Sequence, residues 1–196
     1  MIPNPDSVRR FSPWLARQLD GGRLDRERLS RWLERPLDAA DLAAFADWPA
    51  FQAAGDEAAL SAALRVLRRH VLAQIMVRDL CGAAPLDEVT RSITLLADFA
   101  VNTALEFAES RCRALYGTPI GRHSGKEQHL SVVAMGKAGG FELNVSSDLD
   151  LIFVYPEAGE TDGRRSRDNQ EFFTKVGQKL IALLDHADGE GFVFRT

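Results

Sequence analysis

Apolar positions along this chain recur at two spacings, and the change from one to the other falls near residue 118. Over residues 1–117 the spacing is helical. Ser12-Pro13 has the form of an N-cap followed by a first-turn proline, and Trp14, Leu15 and Leu19 share a face until Asp20-Gly21-Gly22 interrupts it. Asp25 to Glu34 predicts a second short helix stopped by Pro36, and Asp38 to Asp47 a third ending near Trp48-Pro49. Trp14, Trp32 and Trp48 lie on the apolar side or at the end of these helices, where they are expected to pack one helix on another. Two long helices follow. Leu60, Leu64, Leu67, Val71 and Ile75 mark the first, from Asp56 to Cys81, with Gly82 as its stop. Val89, Ile93, Leu96, Ala100, Thr103 and Phe107 mark the second, from Asp87 to Tyr116. The polar positions between these stripes are expected at the surface: His70 and Gln74, the cluster Arg65, Arg68 and Arg69, and an Arg78–Asp79 pair.

Past residue 118 the pattern shortens. TPIGRHSGKEQH (118–129) has no periodicity and predicts a linker in which His123 and His129 carry no role. Ser131 to Met135 is an apolar run broken by Gly136 and predicts a buried strand. A short polar helix comes next, and Asp148-Leu149-Asp150 leads into a second buried strand, Leu151 to Tyr155. Pro156 to Arg167 is a polar loop, a candidate lid. Asp168 caps a helix to about Asp185, with Phe172, Phe173, Val176, Leu180, Ile181 and Leu184 on its buried side, and GFVFRT (191–196) predicts a third strand. The expected architecture is α+β: a helical domain over 1–117, the linker 118–129, and a small mixed sheet backed by helices over 130–196.

Composition narrows the partners. At 196 residues with 45% hydrophobic content the chain is long and apolar enough for one large or two small globular domains. Its net charge of -4 argues against a nucleic-acid binder, which would show a basic face; Arg164, Arg165 and Arg167 read as a solvated loop. Cys81 and Cys112 are too few for a disulfide framework or a zinc site, so a reducing cytoplasm is the default. No run approaches 18 apolar residues and no signal peptide opens the chain, so no membrane is expected.

The candidate chemistry sits in residues 130–155. On a strand Asp148 and Asp150 point the same way, with Cα atoms roughly 6.5 Å apart. Two like charges on one buried face repel each other and lose water, a cost that a cation would offset. Mg²⁺ suits them, being shared between carboxylates and substrate phosphates. Gly136, Gly139 and Gly140 would let backbone amides approach a phosphate, and the helix they open presents its positive end. Phosphoryl or nucleotidyl transfer is the reaction class these parts describe.

The combination of strand, Gly-x-x-Gly-Gly, short helix, Ser-Asp-x-Asp and strand resembles the DNA polymerase beta-like nucleotidyltransferase superfamily. Its pattern is an apolar residue, Gly, then Gly or Ser, with Asp-x-Asp nine to thirteen residues later. Met135-Gly136 fits and ten residues separate Lys137 from Asp148, although Lys137 stands where a small residue is usual. GKAGGFELNVSSDLDLIFVYPE, followed by DNQEFFTKVGQKLIALL, further resembles the glutamine synthetase adenylyltransferase/adenylyl-removing enzyme family, as do the upstream helices. The resemblance implies that Asp148 and Asp150 are catalytic Mg²⁺ ligands and that Gly136, Lys137, Gly139, Gly140 and Ser147 hold phosphate groups. It implies phosphate and adenine nucleotides as small ligands, and glutamine synthetase and a PII-type signalling protein as partners. The chain would be the N-terminal of two related units, removing AMP from a glutamine synthetase tyrosine by phosphorolysis and releasing ADP. In that family a third carboxylate follows a segment like Phe192 to Thr196, so this chain is expected to be truncated and poorly active. Two other readings stay open: a nucleotidyltransferase acting on another protein or small molecule, and a non-catalytic docking module.

Overall fold

A computed structural model describes residues 3–189 and 191–196. Their contacts divide the chain into two compact units: residues 1–98 with 141–147, and residues 99–140 with 148–196. The division falls inside a helix, whereas the sequence suggests a break at 118–129.

The first unit is helical. It holds α1 (Pro5–Val8), α2 (Pro13–Asp20), α3 (Arg26–Trp32), α4 (Ala39–Ala43), α5 (Pro49–Gln52), α6 (Glu57–Leu80) and the start of α7 (Leu86–Tyr116), with 3-10 turns at Arg9–Phe11 and Ala44–Asp47. Several helix starts have a local chemical cause. Ser12, Asp25 and Asp56 accept the Leu15, Arg28 and Ala59 amides, and Asp38 forms a reciprocal capping box with Asp41. Gly82, at φ +70, closes α6 in a Schellman arrangement in which the Ala83 amide donates to the Arg78 carbonyl. Val8, Leu15, Leu19, Leu24, Leu29, Leu33, Ala73 and Val77 form one core cluster, with Trp14 packed against it. The Trp32 and Trp48 rings lie 6.0 Å apart, the packing role expected of them.

Several polar residues of α6 are not at the surface, although Arg68 and Arg69 are half-buried. His70, Gln74, Arg65 and Arg78 are all buried, and the reason lies in the short helices packed there. A helix end leaves carbonyls without partners, and here α6 supplies the donors. Gln74 Nε2 donates to the Trp32 carbonyl at 2.6 Å, and Arg78 Nη1 donates to that of Leu33 at 2.9 Å. Arg78 pairs with Glu88 through both carboxylate oxygens, at 2.6 and 3.0 Å, and not with the exposed Asp79. His70 Nε2 accepts the Asp25 amide at 2.9 Å, beside the first turn of α3.

The second unit is α+β. It contains the rest of α7, β1 (Pro119–Gly121), β2 (Ser131–Ala134), α8 (Gly136–Gly139), β3 (Leu151–Val154), β4 (Gly159–Thr161) and α9 (Asn169–Asp185). The expected mixed sheet is instead two separate antiparallel pairs, β1 with β4 and β2 with β3. The stretches expected as linker and lid therefore each hold a strand. They are tied together by the Glu157 carboxylate, which accepts the His123 and Ser124 amides, and by Asn169 Nδ2, which donates to the Ile120 and Glu157 carbonyls. Asp168 caps α9 as predicted. Ala108, Cys112, Leu130, Phe172, Phe173 and Val176 form the core beneath it, with Phe153 and Tyr155 packed against them.

Two strand expectations need correction. β2 and β3 are buried on one face only: Phe153 and Tyr155 turn toward α9, while Val133, Ile152 and Val154 are nearly half exposed on the other side. Residues 191–196 form no strand, because their backbone finishes the helix instead. The Val193 and Phe194 amides both donate to the Leu184 carbonyl at the end of α9, and the Leu149 amide donates to the Arg195 carbonyl at 2.8 Å. Ile181, predicted buried, is 37% exposed on α9. Among the described residues no helix is long and apolar enough to cross a membrane.

Candidate functional site

The turn after β2 is built by glycines with identifiable jobs. Gly136 adopts φ +55, a left-handed conformation that L side chains rarely take. A Cβ on Gly139 would lie 2.6 Å from the Ala134 carbonyl oxygen, so only glycine lets α8 fold back on β2. The Gly139 and Gly140 amides donate to the Met135 and Gly136 carbonyls. They close the four-residue α8. Phe141 leaves the turn at φ +57.

The acidic stretch lies just ahead of β3, not within it. The Met135 amide donates to the Asp150 carbonyl at 2.8 Å, extending the β2–β3 ladder by one step. Leu149, 3% exposed, anchors the segment, while Asp148 and Asp150 on either side are exposed. This is the alternation predicted from Asp-x-Asp, carried by an extended segment.

The two carboxylates have different surroundings. Asp148 Oδ1 lies 2.8 Å from Arg195 Nε in an ion pair that is more than half exposed. Asp150 Oδ2 lies 3.1 Å from where a Cβ on residue 136 would sit, so Gly136 leaves a notch open beside it. Both acids are solvated and one already has a guanidinium partner, so neither carboxylate bears the dehydration cost expected of a buried face. The donor chemistry still suits Mg²⁺: two exposed carboxylates and an open notch leave room for the waters and substrate oxygens that fill most of its octahedral shell. No group of three or more His, Cys, Asp or Glu among the described residues could hold a metal.

Of the remaining predicted contacts, Lys137 is exposed on α8 in the same unit. Ser147 groups with the first unit, and its hydroxyl accepts the Asn144 amide at 3.3 Å in a local turn. Arg195 escaped the sequence reading, since nothing local links it to an acid so far away in the chain. A groove of about 400 Å³ runs between β3 and α9, lined by Phe153, Tyr155, Phe173 and Ile181. It lies on the sheet face opposite Ile152 and Val154, away from the side that alternation gives Asp150.

The model of the family described as glutamate-ammonia ligase adenylyltransferase matches residues 7–196. Curated proteins similar to this chain include three bifunctional glutamine synthetase adenylyltransferase/adenylyl-removing enzymes. That of Neisseria meningitidis serogroup B (strain MC58) is 62% identical over 191 residues, covering 97% of this chain and 21% of that protein. The Chromobacterium violaceum protein is 52% identical over 186 residues, 95% of this chain and 20% of that protein. The Nitrosomonas europaea protein is 44% identical over 192 residues, 97% and 21% respectively. The chain thus spans about one fifth of the length of the curated relatives it matches.

Proposed function

Because the chain belongs to the glutamate-ammonia ligase adenylyltransferase family, we propose that it carries part of a nucleotidyl-transfer centre in an enzyme that moves AMP on or off glutamine synthetase. The finer reading is the adenylyl-removing reaction. An oxygen of inorganic phosphate attacks the α-phosphorus of the AMP–tyrosine diester, the bond to the tyrosine oxygen breaks, ADP leaves, and the tyrosine oxygen takes up a proton. The activities for which the relatives are named support both directions of transfer; the resemblance of residues 130–155 to a nucleotidyltransferase core supports the chemistry.

The observation that carries the assignment is the exposed pair Asp148 and Asp150, fixed on either side of buried Leu149 and facing solvent beside the notch at Gly136. These two carboxylates would hold Mg²⁺, which when bound supplies Lewis-acid polarisation of the phosphodiester and neutralises developing charge. The chain's own contribution is positioning. Leu149 and the Met135–Asp150 backbone bond hold the acids in place. Gly136, Gly139 and Gly140 give the turn a shape that no side chain obstructs, and the exposed Lys137 ammonium would attract phosphate. A PII-type protein as regulator and a cytoplasmic setting belong to the same proposal.

The test uses a full-length family member carrying Asp148→Asn or Asp150→Asn in this numbering, incubated with adenylylated glutamine synthetase, phosphate and Mg²⁺. Release of ADP should fall by about a hundredfold or more while the melting profile stays unchanged. Near-normal ADP release from either variant would refute the assignment. Loss of AMP transfer from ATP, with removal intact, would move the chain to the adenylylating half of the reaction.

A further inference from the structure

Arg195 meets the acidic stretch twice. Its carbonyl accepts the Leu149 amide at 2.8 Å, and its Nε pairs with Asp148 Oδ1, also at 2.8 Å. The backbone bond fixes where the side chain starts, so the guanidinium is delivered to one carboxylate of the pair and not to the other. Asp150 instead faces the notch at Gly136. The two acids are therefore inequivalent: Asp150 has an open side, and Asp148 has one oxygen already engaged by a cation.

We propose that Arg195 is an internal counter-cation for Asp148, a group that a divalent ion has to displace from that carboxylate. The inference rests on the metal reading above and adds an order of events. An ion enters at Asp150, beside the notch, and gains Asp148 as the guanidinium turns away. Arg195 is a positioning residue here. It keeps Asp148 oriented and compensated beforehand, and it weakens cation binding by competing for the same oxygen. The pair is more than half exposed. Screening by water keeps such a contact weak, so the competition amounts to about a two- to fivefold effect on affinity and not an abolition of binding.

The experiment is a titration of this chain with Mn²⁺ as probe, free ion being read by its electron paramagnetic resonance signal, for the native chain, Arg195→Gln and Arg195→Lys. Removing the positive charge should tighten Mn²⁺ binding about two- to fivefold, and lysine, which retains the charge, should stay near the native value. Each variant keeps the Arg195 backbone bond, so melting curves followed by circular dichroism should coincide. In an Asp148→Asn background, Arg195→Gln should change Mn²⁺ affinity no further. Unchanged or weaker binding by Arg195→Gln overturns the inference while leaving the metal site standing. No Mn²⁺ binding by any of the three chains defeats the metal reading and the inference together.

Discussion

His70 is 4% exposed and accepts a backbone amide on Nε2, a role only the neutral ring can fill. Burial, the largest cause, holds its pKa below the ordinary histidine value, and Arg28 and Arg69 push in the same direction. In the unfolded chain the ring takes up a proton near pH 6.5. Between the folded and unfolded values the unfolded state binds more protons, so stability rises with pH. The contribution is complete above about pH 6.5 and drains away as pH falls below it. Urea midpoints at pH 7.5 and pH 5.5 should show this drop, and His70→Gln should flatten it. Arg78 and Glu88 are a second residue-scale case. Their side chains are 8% and 13% exposed and joined by two hydrogen bonds. Glu88→Ala strands a buried guanidinium and should cost about 3 kcal/mol or more in denaturant unfolding. Gly136→Ala tests the turn. The new methyl group meets both a left-handed backbone and the Asp150 carboxylate, so about 1–2 kcal/mol of destabilisation is expected.

At the level of elements, the β2–β3 pair makes a measurable contrast. Ile152 and Val154 are each 47% exposed, whereas Phe172 on α9 is fully buried. Ile152→Thr or Val154→Thr should change stability by no more than about 0.5 kcal/mol. Phe172→Ala, which empties the core of the second unit, should cost about 3–5 kcal/mol by the same denaturation measurement. This contrast also marks where sequence reading stops. Runs such as LIFV look alike whether one face or both are covered, because the covering element is chosen by distant residues. Helix starts were legible because an N-cap is a local event. Ser12, Asp25, Asp38, Asp56 and Asp168 each bond an amide within three residues. The buried roles of Gln74 and Arg78 were not legible, since an amphipathic pattern files any polar side chain as solvated and cannot show that carbonyls from α3 end upon it. At the candidate site the alternation of Asp148 and Asp150 about Leu149 was readable; the Arg195 partner and the self-closing amides of α8 depend on how the chain folds back.

For the whole molecule, the two compact units each contain one cysteine, Cys81 in the first and Cys112 in the second. Cys81 is exposed and Cys112 is fully buried. A thiol reagent such as dithionitrobenzoate should therefore label about one equivalent quickly in native buffer. The second should appear only as the core around Ala108, Phe172 and Val176 opens with denaturant. Labelling of both thiols at equal rates in native buffer would contradict the burial of Cys112.

The bond between the Leu149 amide and the Arg195 carbonyl has a practical consequence. Anything fused behind Thr196 emerges one residue beyond the side chain that grips Asp148. A purification tag or fluorophore attached there would crowd the carboxylates, and a hexahistidine tail would bring its own affinity for divalent ions to the place being titrated.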